Sequence, residues 1–106
     1  MMRYFGQHEC MNVSAVLQQH RALIGQLVAS HNALNPRVFG SVARGDDGVD
    51  SDLDLLVDST RSTTLFDLGA LQLALEDALG VKVDVRTVGD LPERFRAAVL
   101  AEAQPL

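Results

Sequence analysis

Gly40-Ser41-Val42-Ala43-Arg44-Gly45, followed after a short acidic interval by Ser51-Asp52-Leu53-Asp54-Leu55-Leu56-Val57, decides how this chain is read. The first segment is a turn between two glycines that carries a hydroxyl and a guanidinium. The second opens an apolar run with two carboxylates spaced i and i+2. In a β-strand those positions point to the same face. Asp52 and Asp54 are therefore expected side by side, with Leu53 and Leu55 on the other face. Like charges held that close favour a cation between them. A Gly-Ser turn offers backbone N–H groups and a hydroxyl suited to phosphate. The two segments together suggest a site for a metal-bound nucleotide.

Downstream, Val81-Lys82-Val83-Asp84-Val85-Arg86 alternates apolar and polar residues, the period of a half-buried strand. Val81, Val83 and Val85 share one face, and Lys82, Asp84 and Arg86 the other. If this strand neighbours the one carrying Asp52 and Asp54, Asp84 joins them. Three carboxylates beside a phosphate-cradling turn is the donor set of two-metal phosphoryl or nucleotidyl transfer. Lys82 and Arg86 are expected to relieve the crowding of charge around Asp84.

These elements, in this order from about Arg37 to Arg86, resemble the nucleotidyltransferase superfamily that includes DNA polymerase beta. The short form is similar to the minimal nucleotidyltransferases. The resemblance implies catalytic, metal-holding roles for Asp52, Asp54 and Asp84 with two Mg²⁺ ions. It implies phosphate binding by Gly40, Ser41 and Arg44, with Ser51 close by, and ATP as the substrate. It further implies an antitoxin that transfers AMP to a hydroxyl, on a tyrosine, of a HEPN-type toxin. One departure stands out: relatives carry a small residue where Asp47 stands and a basic one where Gly48 stands. The added negative charge falls near the expected phosphates.

Composition sets limits on partners. The chain has 106 residues, the size of one domain, and 47% hydrophobic residues suffice for a core. A net charge of −5 disfavours direct nucleic-acid binding, which rests on many basic contacts. It suits docking to a basic protein better. A single cysteine, Cys10, excludes an internal disulfide and fits a reducing, cytoplasmic setting. No apolar run approaches the roughly 20 residues that cross a bilayer. Two rival readings stay open: an antitoxin that neutralises by binding alone, and a small-molecule transferase of the aminoglycoside-modifying type.

Along the chain, residues 1–11 are expected to form a flexible leader and 12–106 one domain. Apolar residues and His20 and His31 recur at helical spacing from Val13, and Asn35-Pro36 is expected to end that helix. Arg37–Gly40 reads as a short strand, Ser41–Arg44 as one helical turn, and 45–50 as a loop. Leu53–Val57 reads as a strand buried on both faces. Thr64 and Asp67 predict a capping box for a helix with Leu68, Leu71, Leu75, Ala78 and Leu79 inward, closed by Gly80. A strand over Val81–Thr87 and a helix from Glu93 to about Ala103 follow. Phe39, Phe66 and Phe95 are expected in the core, with Leu91 and Val99 packing the last helix. The order α-β-(α)-β-α-β-α predicts a small α/β sandwich, and the resemblance adds a mixed sheet flanked by helices.

Overall fold

A computed structural model of the chain describes residues 13–45 and 51–106. Residues 1–11, expected to form a leader, and most of the acidic loop lie outside the described residues. The elements are α1 (Val13–Gln19), α2 (Arg21–Ser30), β1 (Ala33–Phe39), α3 (Ser41–Arg44), β2 (Leu53–Ser59), α4 (Leu65–Leu79), β3 (Val83–Thr87), a 3₁₀ turn (Val88–Asp90), α5 (Glu93–Glu102) and β4 (Gln104–Pro105). The four strands form one mixed sheet in the order β3-β2-β1-β4. β1 runs antiparallel to β2 and β4, whereas β2 and β3 are parallel.

The parallel pair needs a crossover, which α4 supplies. Its start is fixed locally. The Thr64 side chain accepts the Asp67 N–H at 3.1 Å, and the Asp67 carboxylate accepts the Thr64 N–H at 2.9 Å. Its end is fixed by Gly80 at φ +70°. Leu71, Leu75 and Leu79 then face the sheet. They meet Leu53, Leu55, Val57 and Val83, and, from α1 and α2, Val13, Leu17, Ile24 and Val28. Each such side chain, fully buried, contributes about 1.5–3 kcal/mol. Leu56 points with Asp54 to the opposite face yet is fully buried, so β2 is apolar on both sides.

The structure corrects several expectations. The first helix is two helices, broken at His20, where φ −119° and ψ 20° depart from helical values. The His20 ring Nδ1 lies 2.9 Å from the Val16 carbonyl that also accepts its own backbone N–H. The apolar stripe continues across the break, so periodicity does not reveal it. The second helix ends at Ser30, before Asn32 at φ +62°, a left-handed position that asparagine tolerates. Asn35-Pro36 is not the helix end but lies inside β1. The β1–β2 register shifts between Leu34 and Arg37 there, and Asn35 adopts φ +52°. Such an irregularity is where a strand admits a residue without an N–H.

Two phenylalanines expected in the core are exposed, Phe66 at 88% and Phe95 at 50%. Phe66 precedes Leu68 by two residues, about 200° around the helix, and so points away from the sheet. Phe95 lies on α5, which buries no residue, under the Arg94 guanidinium at 4.9 Å. Ala78 is exposed as well, while Leu91 is buried and Phe39 and Val99 half-buried. The third strand begins at Val83 rather than Val81. No helix among the described residues is long and apolar enough to cross a membrane.

The irregular part of β1 is tied to β2 by side chains. Asp58 accepts from Asn35 Nδ2 at 2.9 Å and from Arg37 Nη2 at 2.7 Å. These hydrogen bonds hold the Asp58 carboxyl below the usual carboxylate range. A lowered folded-state value stabilises the fold above the ordinary value of 3.8 and loses that stabilisation as pH falls through the folded value. Asp58→Asn is therefore expected to cost about 1 kcal/mol at neutral pH. Thermal melts of both proteins from pH 7 to pH 2 should show the difference shrinking toward the acid end.

Candidate active site

The sheet brings the end of β1 against the beginning of β2, which lies beside the beginning of β3. Phe39 is level with Asp54, and Asp54 is level with Asp84. Residues paired across parallel strands project to the same face, so the Asp54 and Asp84 carboxylates are neighbours. Asp52 lies two residues before Asp54, just ahead of β2, and is exposed. β3 lies next to β2 and so brings Asp84 level with Asp54, while Asp52, expected on the strand beside Asp54, stands ahead of that strand.

Charge crowding is visible at Asp54. Its carboxyl is pushed up from the ordinary value, first by burial and then by the charges of Asp84 and Asp52. Arg86 and Arg44 pull it down more weakly. Asp84 spends one oxygen on Arg86, whose Nε donates to it at 3.1 Å. Arg86 thus relieves the carboxylates in the way its position on the Asp84 face suggested. With the side chains so arranged, no three His, Cys, Asp or Glu residues converge as a ready-made metal cluster among the described residues. The donor set itself fits hard divalent cations: carboxylate oxygens on adjacent strands, one of them destabilised as an anion by burial and by its acidic neighbours.

The glycine turn packs directly on Asp54. Gly40 has φ +74° and ψ −149°, open to glycine and costly for other residues. A Cβ at Gly40 would stand 2.2 Å from Asp54 Oδ2. The missing side chain is thus what allows the backbone of the turn to approach the carboxylate. Ser41 opens α3 and Arg44 closes it, with Gly45 at φ +79° behind. Val42 is buried and anchors the turn to the core. Ser51 lies in the extended approach to β2. Gly40, Ser41, Arg44, Asp54 and Asp84 are gathered at one end of the sheet, with Asp52 and Ser51 at its rim.

One residue in this neighbourhood has no signal in the sequence. Glu102, at the end of α5, accepts the Gly40 N–H at 2.8 Å and lies 3.4 Å from Arg44 Nη1. It stands 62 residues from Gly40 and reaches it only through the pairing of β4 with β1. His20 and His31 turn their rings onto the helix carbonyls of Val16 and Leu27 and lie outside the site.

Residues 34–106 match the family model described as a nucleotidyltransferase domain. A Methanocaldococcus jannaschii protein named as a candidate protein adenylyltransferase is 31% identical over 93 residues, spanning 88% of this chain and 96% of that protein. A solved structure described as a candidate minimal nucleotidyltransferase superposes with a TM-score of 0.80 at 48% identity, over 88% of this chain and 95% of that one. A structure of a tri-AMPylated Shewanella oneidensis HEPN toxin in complex with an MNT antitoxin shares the fold, with a TM-score of 0.64. At 18% identity, over 83% of this chain and 69% of that one, that likeness is one of fold alone.

Two substitutions test the geometry. Gly40→Ala forces both a left-handed alanine and a displaced Asp54 side chain, and is expected to lower stability by about 1–3 kcal/mol in chemical denaturation. Asp54→Asn removes a crowded charge. A carboxyl with a raised folded-state value destabilises the fold above that value, and the penalty fades as pH falls through it. In chelator-treated buffer at neutral pH, Asp54→Asn should therefore melt a few degrees above wild type, 1 kcal/mol being about 4–8 °C in a domain of this size. The gain should vanish at acid pH.

Proposed function

The chain belongs to the nucleotidyltransferase domain family, and we propose that it transfers AMP from ATP to a tyrosine hydroxyl of a HEPN-type toxin and so acts as its cytoplasmic antitoxin. The observation that carries the reading is the level pairing of Asp54 with Asp84 beside a turn that only glycine permits. The adenylyltransferase name of a 31% identical relative supports adenylyl transfer. The fold neighbour captured with its AMPylated HEPN toxin supports the partner.

In this reading the triphosphate lies along Gly40, Ser41 and Arg44. Gly40 lets the backbone come close, the Ser41 hydroxyl donates to a phosphate oxygen, and Arg44 adds positive charge. Asp52, Asp54 and Asp84 would hold two Mg²⁺ ions, whose chemistry is to offset the charge of the phosphates. Arg86 engages only one Asp84 oxygen, so the other remains for that role. The acceptor oxygen forms a bond to the α-phosphorus, the bond to the bridging oxygen breaks, and pyrophosphate leaves. Asp84 takes the proton of the attacking hydroxyl. The excess of 14 acidic over 9 basic residues suits docking to a basic protein.

A second reading is favoured by the Arg86–Asp84 ion pair, which engages one Asp84 oxygen, in a site where no three carboxylates converge among the described residues. There the chain neutralises its toxin by binding alone. The two are separated with α-³²P-labelled ATP, Mg²⁺ and a co-expressed HEPN-type toxin, using wild type and Asp54→Ala. Adenylyl transfer is expected to label the toxin with wild type and to fall about a hundredfold or more with Asp54→Ala. Neutralisation by both proteins without label identifies a binding antitoxin.

A further inference from the structure

The single turn α3 carries the residues assigned above to phosphate, yet it cannot hold itself. Four residues make one helical turn, and forming a first turn is unfavourable because several dihedrals are fixed for little hydrogen bonding. Its own closing bonds are Arg44 N–H to the Gly40 carbonyl at 3.1 Å, and Gly45 N–H to the Val42 carbonyl at 3.2 Å and to the Ser41 carbonyl. Besides the buried Val42, support comes from the far end of the chain. Glu102 accepts the Gly40 N–H at 2.8 Å, ahead of the turn. Gln104 Nε2 donates to the Ala43 carbonyl at 3.1 Å, within it. The same Glu102 carboxylate lies 3.4 Å from Arg44 Nη1 through each oxygen.

These side chains are placed by backbone pairing rather than by chance packing. β4 pairs with β1 at Arg37↔Pro105 and Val38↔Gln104, immediately before the turn. The Leu106 N–H extends that attachment to the Pro36 carbonyl at 3.1 Å. The α5–β4 junction is therefore fixed to the strand that delivers the turn, and it grips the turn at both ends.

We propose that Glu102 and Gln104 are positioning residues for nucleotide binding: they fix the Gly40–Arg44 turn, and Glu102 aims the Arg44 guanidinium. The inference rests on the function proposed above and deepens it. A turn held in place binds the triphosphate without first being ordered, so its loss is read in affinity more than in turnover. A purely structural role would instead reduce the active fraction and lower kcat with KM unchanged.

The test titrates a fluorescent (mant) ATP analogue with Mg²⁺ into wild type, Glu102→Ala, Glu102→Gln and Gln104→Ala, and pairs each with ATP-dependent kinetics of labelling. Glu102→Ala is expected to weaken nucleotide binding and raise KM by about tenfold, with kcat within about threefold. Glu102→Gln should fall between, because its amide oxygen still accepts the Gly40 N–H while the charge facing Arg44 is gone. Gln104→Ala should raise KM by about two- to threefold. Unchanged binding in folded Glu102→Ala overturns the inference, and so does tighter binding, which would make the carboxylate a competitor of phosphate. If Glu102→Ala does not fold, unchanged binding in both Glu102→Gln and Gln104→Ala overturns it. A wild-type chain that does not bind the analogue overturns the proposed function and this inference with it. Binding by wild type with no effect of the variants overturns the inference alone.

Discussion

The parallel pairing of β2 with β3 in one register, Asp54 level with Asp84, is the constraint on which the rest depends. It forces two carboxylates together on one face of the sheet. The same register places Leu53, Leu55 and Val83 on the other face, within the core. A slip by one residue would turn the aspartates into the core and the leucines out. Hydrophobic burial therefore fixes the position of the charges. The fold accepts the repulsion because several buried side chains at about 1.5–3 kcal/mol each outweigh it. Burial and neighbouring charge leave their trace in the raised pKa of Asp54.

The second constraint is the approach of β1 to the same point. β1 runs antiparallel to β2, so its end arrives where β2 begins. The chain then turns within van der Waals distance of Asp54, which Gly40 alone makes feasible. The Gly-Ser turn and the carboxylates are thus brought together by strand direction and by one absent side chain. In the proposed reading that juxtaposition gives a chain of net charge −5 a place for a ligand that is itself an anion. The arginines Arg44 and Arg86 lie at its edges, and divalent cations would supply the remainder.

How much of this was legible follows from the range of each signal. The capping box at Thr64, the left-handed Gly80, the single turn Ser41–Arg44 and the strand at Leu53 are local. The signal for each lies within a few positions, and each was readable. The relation of Asp54 to Asp84 is not local, but alternation placed both on polar faces, and only adjacency remained to be learned. The failures have a different origin. The break at His20 leaves the apolar period intact. Pro36 reads as a helix end because its neighbours do not announce the irregularity in β1. Phe66 is apolar by type, but its angular position on α4 points it outward, and Phe95 lies on α5, which buries no residue. Residue type predicts burial only when the face is known.

Glu102 shows where reading from local pattern stops. Nothing around it marks it: it is one carboxylate near the end of an exposed helix. Its meaning comes from β4, two residues long, which has too little sequence to declare itself as a strand. Yet that short pairing with β1 delivers a carboxylate to the Gly40 N–H and an amide to the Ala43 carbonyl. The turn that meets the phosphates in the proposed reading is therefore built from two distant pieces of chain. One contributes the groups facing the ligand, and the other restrains them. A turn of four residues cannot be both open to a ligand and rigid by its own hydrogen bonds. Support from a remote segment resolves that conflict in the proposed reading, because Glu102 and Gln104 engage the Gly40 N–H and the Ala43 carbonyl from a distant part of the chain.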